Sequence, residues 1–264
     1  MIIPAPVQYI LAILVGLTLG SFYTALASRV LYYFYGPGRK LPQRWKLIFT
    51  RPSTCLQCDA PIRFFDLWPI MGFVITRGQC RNCGVKIGWH TLAGEMYPGI
   101  LFPALLYCGQ SWFSAVCIVC FCGHLYIALA TDLHFYILDL ENTMFLFLWA
   151  FAAGMERSGL RLDLFSHYAL AGTGAFMIFL LLFLAARLRG LGFGDVLLAG
   201  TIGLLLGIPW ILVAVEIAAI AAIGFILFYG RGRNFPAPLG AGLALGVFIT
   251  LPAWIIYELF ARGT

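Results

Sequence analysis

From Met96 to its C-terminus the chain is a succession of apolar stretches, separated only by short polar or Gly/Pro marks. In a bilayer such stretches must satisfy their own backbone polar groups, which leaves helices or closed barrels. Charged residues make up 11% and hydrophobic residues 62% of the 264 positions. A soluble domain is charged at roughly one position in four, so the chain reads as an integral membrane protein. The short alternating segments of an outer-membrane barrel are missing. The predicted fold class is therefore an all-α membrane protein with about eight transmembrane helices. They are placed over residues 7–33, 96–111, 113–131, 139–155, 166–187, 195–207, 209–229 and 238–261.

Residues 34–95 are the sizeable polar region. The predicted division is a first transmembrane helix over 1–33, a cytoplasmic four-cysteine zinc loop over 34–95, and a membrane peptidase domain over 96–264. Ala25-Leu26-Ala27 resembles a signal-peptidase site, but no Lys or Arg precedes Arg29 and the basic n-region of a signal peptide is missing. Basic residues follow the first segment instead, which predicts the N-terminus outside and the loop inside. With that orientation the cytoplasmic side receives fourteen of the 17 Lys and Arg residues, Arg187, Arg189, Arg231 and Arg233 among them. Only Arg157, Arg161 and Arg262 fall outside. The net charge of +6 thus follows the membrane and its lipid, which argues against a nucleic-acid partner. The same alternation puts Asp132 at the cytoplasmic end of the third helix and Asp195 at the cytoplasmic start of the sixth.

Two motifs carry chemistry. Cys55-Leu56-Gln57-Cys58 and Cys80-Arg81-Asn82-Cys83 are C-x-x-C knuckles at zinc-ribbon spacing. A two-residue gap lets both sulfurs of a turn face one ion, and four thiolates close a tetrahedron with no open position, so the expected zinc is structural. Two redox pairs or four unpaired thiols are the competing reading. Cys108, Cys117, Cys120 and Cys122 lie in apolar sequence and are expected as small buried hydrophobes.

The second motif is Arg189-Gly190-Leu191-Gly192-Phe193-Gly194-Asp195, an acid where a glycine-rich turn enters an apolar segment. A carboxylate beside hydrocarbon is a functional-site hypothesis by default. Asp132 is its expected partner. Two carboxyls within proton-sharing reach keep one neutral and one ionised. The ionised acid takes a proton from water, which attacks an amide, while the neutral one donates to the carbonyl oxygen. The plainer reading is two helix-capping acids. Asp139, Glu141, Glu216 and Glu258 compete for the role, with Glu216 expected to be buried in the seventh helix. Glu95 is expected where the second helix begins, as a helix-start acid or as part of a second active site.

With these residues in view the chain resembles the type IV prepilin peptidases, the bifunctional leader peptidase/N-methyltransferases of type IV pilus and type II secretion systems. Gly20-Ser21-Phe22 resembles the family's G-S-F-L-N element. Arg77-Gly78-Gln79-Cys80-Arg81-Asn82-Cys83, with Cys55 and Cys58, matches its zinc loop. Asp132-Leu133 and Gly192-Phe193-Gly194-Asp195 match its two catalytic acids, and Phe235 to Gly246 resembles the start of its last helix. The chain departs from the pattern at Tyr23, Thr24, Leu56, Asp139 and Leu197. The resemblance implies an inner-membrane enzyme that removes basic leaders from prepilins or pseudopilins after a glycine. It also implies methylation of the new N-terminus, usually phenylalanine, with S-adenosylmethionine, in a domain associated with the cysteine loop. The residues that would hold the methyl donor are not identified by the motifs. A non-catalytic zinc-ribbon protein that docks pilus or secretion machinery is the alternative from a different class.

Overall fold

The computed structural model describes residues 4–185, 191–229 and 238–263. Arg187, Arg189, Gly190, Arg231, Arg233, Phe235 and Pro236 of the motifs and charge count lie outside the described residues. Among those described, only helices and two isolated bridges, Thr54 with Pro61 and Gln79 with Lys86, are present. The chain divides into two compact units, Met1–Ala104 and Leu105–Thr264.

In the first unit, α1 spans Ala5–Val30 and continues as a π turn over Leu31–Tyr35. Pro6 is accepted in its first turn, where the missing N–H costs nothing. Two short helices follow, α2 at Arg44–Thr50 and α3 at Met71–Ile75, and then α4 at Trp89–Tyr107. Gly16 and Gly20, one turn apart on α1, meet the α4 backbone. A Cβ on Gly20 would lie 2.8 Å from the carbonyl oxygens of Gly94 and Glu95. Close backbone approach through small residues is how helices associate where lipid removes the hydrophobic drive. The start of α4 differs from the expectation. The helix begins at Trp89 rather than near residue 96, so Glu95 stands in its second turn and not at its N-terminus. The apolar edge marks where hydrocarbon begins; the helix runs past it into polar sequence.

The polar segment holds one turn built twice, 25 residues apart. Around Cys55, Cys55 N–H donates to Ala60 O, Asp59 N–H to Cys55 O and Ile62 N–H to Ser53 O. Around Cys80, Cys80 N–H donates to Val85 O, Gly84 N–H to Cys80 O and Ile87 N–H to Gly78 O. Each knuckle needs a left-handed residue directly after its second cysteine. Gly84 (φ 72°) supplies it in one and Asp59 (φ 54°) in the other, both residue types that tolerate that region.

The described residues of the second unit form a bundle of six helices: α5 Trp112–Phe135, α6 Leu140–Arg157, α7 Leu162–Ala185, α8 Phe193–Leu206, α9 Trp210–Tyr229 and α10 Leu239–Gly263. Ser111 caps α5, its hydroxyl accepting Ser114 N–H at 3.0 Å. The short α8 packs against α6, α7, α9 and α10, and α5 packs against α6 and α10. Phe121, Leu125, Leu146, Leu198, Ile202 and Leu243 are fully enclosed. Cys108, Cys117, Cys120 and Cys122 are buried as expected. Arg157, at the far end of α6 from Asp132, donates to Leu205 O at 2.8 Å. It lies 4.8 Å from the Tyr168 and Trp254 ring centroids, a cation held by a carbonyl and two π faces.

Among the described residues, five helices are long and apolar enough to cross a membrane: α1 with its π turn, α5, α7, α9 and α10. The 14-residue α8 rises about 21 Å, short of a roughly 30 Å hydrocarbon core. Within the second unit the spans are unequal. In α5, 67% of the apolar window is buried, against 17% in α9, so α5 is an inner helix and α9 a peripheral one.

Candidate active site and four-cysteine centre

Because α5, α8 and α10 end or begin at the same side of the bundle, the last turn of α5 meets the first turns of the other two. Asp132 comes from α5 and Asp195 is the third residue of α8. The second unit carries eight acids, and only Asp132 (6% exposed) and Asp195 (8%) are buried. Asp195 Oδ2 accepts Gly192 N–H at 2.9 Å, folding the carboxylate back over the helix start. Asp132 Oδ2 accepts Ala241 N–H at 2.7 Å, one of the first-turn amides of α10 that an α-helix leaves unpaired. No cation reaches either acid among the described residues.

Gly240 lies where the two acids converge. A Cβ built on it would stand 3.0 Å from Asp132 Oδ2 and 3.1 Å from Asp195 Oδ1. By those two distances the oxygens are at most about 6 Å apart, close enough for one water to bond both. The Leu138 side chain packs in the same gap, its Cδ1 2.8 Å from that Cβ position and its Cβ 2.7 Å from the corresponding point on Gly194. Glycine at 194 and 240 therefore leaves room for one apolar side chain beside the acids.

The competing acids fall elsewhere. Glu141 is exposed in the first turn of α6, and Asp139 precedes that helix, its carbonyl accepting from Thr143. Glu216 is exposed on α9, contrary to the expectation of a buried acid. The peripheral position of α9 is the reason, since helical spacing alone does not tell which face finds a neighbour.

In the first unit the four sulfurs of Cys55, Cys58, Cys80 and Cys83 lie within 4.8 Å of one another, with Cys55–Cys83 at 3.8 Å and Cys58–Cys80 at 3.9 Å. A tetrahedron with zinc–sulfur bonds of about 2.3 Å has edges of about 3.8 Å, so the cluster fits zinc and fills all four positions. The Asn82 amide donates to Cys58 Sγ at 3.5 Å, and with the Ala60 backbone it holds that thiol down to about 6. Arg81 forks onto Asp66 at 2.8 and 2.9 Å and keeps its carboxyl below the usual range.

The first unit also encloses a cavity of about 720 Å³ between the last turns of α1, the knuckles, α3 and Glu95 of α4. Glu95 Oε2 accepts Ile70 N–H at 2.7 Å. Ile70 has φ 61°, a strained setting for a β-branched residue.

Two family models match the chain: the bacterial peptidase A24 N-terminal domain over residues 14–108, and the type IV leader peptidase family over 119–227. The prepilin leader peptidase/N-methyltransferase of Bacillus subtilis is 30% identical over 236 residues, covering 88% of each chain. The chain belongs to the type IV leader peptidase family. Similar too are the prepilin leader peptidase/N-methyltransferase of Burkholderia pseudomallei, 29% identical over 94% of this chain and 86% of that one, and the type 4 prepilin-like proteins leader peptide-processing enzyme of Escherichia coli, 28% identical over 92% and 93%. No solved structure matches. In this leader peptidase the motif reading had marked the acids and cysteines. It missed Leu138, Gly240 and the Ala241 amide. Gly240 stood inside a stretch already noted as glycine-rich, but nothing local told which glycine would face the acids.

Proposed function

We propose that the chain is a membrane aspartyl endopeptidase that removes the basic leader of a prepilin or pseudopilin at the cytoplasmic face, with Asp132 and Asp195 as the catalytic pair. The single observation that carries this is the convergence of the second unit's two buried acids on one gap. One carboxylate takes a proton from the water between them, the water oxygen attacks the scissile carbonyl, and the other carboxyl donates to the carbonyl oxygen. Burial beside Leu138 and hydrogen bonds from neutral amides orient both acids without tying either to a cation. The positive-inside count supports a cytoplasmic position and an external N-terminus. The anionic inner leaflet would concentrate a basic leader there.

The relatives' second activity, N-methylation, extends to this chain in the same reading. S-adenosylmethionine supplies the methyl group, and residues 34–95 form the associated domain. Cys55, Cys58, Cys80 and Cys83 hold a structural zinc that gives a short polar segment its fold.

The test is Asp132→Asn and Asp195→Asn in membranes with a co-expressed prepilin, read by the mass of the pilin. Each carboxamide is expected to cut leader removal by about a thousandfold. Normal processing by either variant overturns the dyad.

A further inference from the structure

We propose that residues 64–76 of the polar segment form a re-entrant loop whose outer face lies in the bilayer, against lipid acyl chains. Depth is the first argument. α1 is long and apolar enough to span, and Arg29 is the first charged residue of the chain. Leu17 stands twelve positions earlier, about 18 Å further along the helix, which is more than half of a hydrocarbon core of about 30 Å. Ile70 shares an apolar groove with Ile13 and Leu17 of α1 and with Gly99, Ile100 and Pro103 of α4. A second contact gives a similar level. Ile70 N–H donates to Glu95 Oε2 at 2.7 Å, and the Glu95 carbonyl lies against Gly20 of α1. Gly20 is nine positions before Arg29, or about 14 Å along the helix. With α1 across the membrane, a segment fixed at both points lies at hydrocarbon depth.

The segment has two faces. Trp68, Gly72, Phe73 and Thr76 line the cavity. Phe64, Phe65, Met71, Val74 and Ile75 are each at least half exposed. Such a patch marks an interaction surface, and through Ile70 it continues the exposed Ile13 and Ile100 of two apolar helices. Residues 64–76 hold one charge, Asp66, whose side chain is 7% exposed and forked by Arg81. The outer face is therefore uncharged, which suits hydrocarbon rather than headgroups. Irregular backbone is tolerated at that depth when protein satisfies its polar groups or it lines a cavity. Asp66 N–H donates to Arg63 O, Met71 N–H to Pro69 O, Gly72 N–H to Trp68 O and Val74 N–H to Ile70 O. Pro69 has no N–H to satisfy, and the Glu95 carboxylate takes the amide of the left-handed Ile70.

The test is photocrosslinking of the full-length protein in liposomes of phosphatidylethanolamine and phosphatidylglycerol. Benzoylphenylalanine replaces Phe65 or Val74 singly, with Leu14 on α1 as the reference inside the bilayer and Leu56 of the first knuckle as the reference outside it. All four positions are exposed, so the label should leave the fold intact, checked by unchanged helical circular dichroism. Lipid adducts are read by intact mass. Those at 65 and 74 are expected within about twofold of those at 14 and at least about fivefold above those at 56, as hydrocarbon depth requires. Adducts at 65 and 74 no more frequent than at 56 overturn the proposal. Crosslinks at 65 and 74 to a second copy of the chain in place of lipid also overturn it, and make this face a protein interface.

Discussion

Two pairs of acids, one pair in each unit, are held in opposite ways. Asp59 and Asp66 of the first unit face arginines. Asp132 and Asp195 of the second are buried and face main-chain amides, with no cation in reach among the described residues. A guanidinium locks a carboxylate as an anion, which suits a loop that has to hold its shape. An amide orients the oxygen yet carries no net charge, so a proton can still move between two neighbouring acids. The same contrast runs through what binds each region together. The loop relies on sulfur, ion pairs and paired turns because it is too short for a core. The bundle relies on packed apolar helices and on glycines that let backbones and carboxylates approach.

The largest way to break this contrast is at Gly240. An added methyl would stand 3.0 and 3.1 Å from the two acids and beside Leu138. Gly240→Ala is expected to spread the carboxylates and cost about a hundredfold in leader removal, since small misplacements carry that scale of penalty. Methylation of an already cleaved pilin should be unchanged, measured by N-terminal mass. Equal loss of both activities would mean that the bundle has collapsed rather than that the acids have moved.

The complementary change is at the cysteines. Cys80→Ser should remove about one zinc per chain, seen by elemental analysis, and open residues 51–88 to protease, as expected where a metal supplies the folding energy. Methylation should fall at least about tenfold by the same logic, and leader removal should stay within a few-fold.

The smallest effect concerns pH. The Asp66 carboxyl is held below its usual value by Arg81. Its contribution is therefore complete above the ordinary aspartate range and fades as pH falls through the lowered one. Protease protection of the loop should weaken in that acid window, and Arg81→Gln should remove the dependence. An unchanged acid profile in the variant would show that the pair does not matter to the loop.

Sequence alone determined the helical membrane class, the cysteine tetrad and the two acids worth pairing, because hydrophobic run length, C-x-x-C spacing and an acid beside hydrocarbon are local signals that need no neighbours. It showed the two C-x-x-C motifs, and the structure added that Asp59 and Gly84 take equivalent left-handed positions after them. It misjudged Glu216 and the start of α4, since burial and helix ends depend on what packs alongside. Only the tertiary structure decided that Gly240 would face both carboxylates, that Ala241 would donate to Asp132 across 109 residues, and that Glu95 would line a cavity. Those are contacts between segments distant in the chain, and no local pattern fixes which of several glycines or acids will meet.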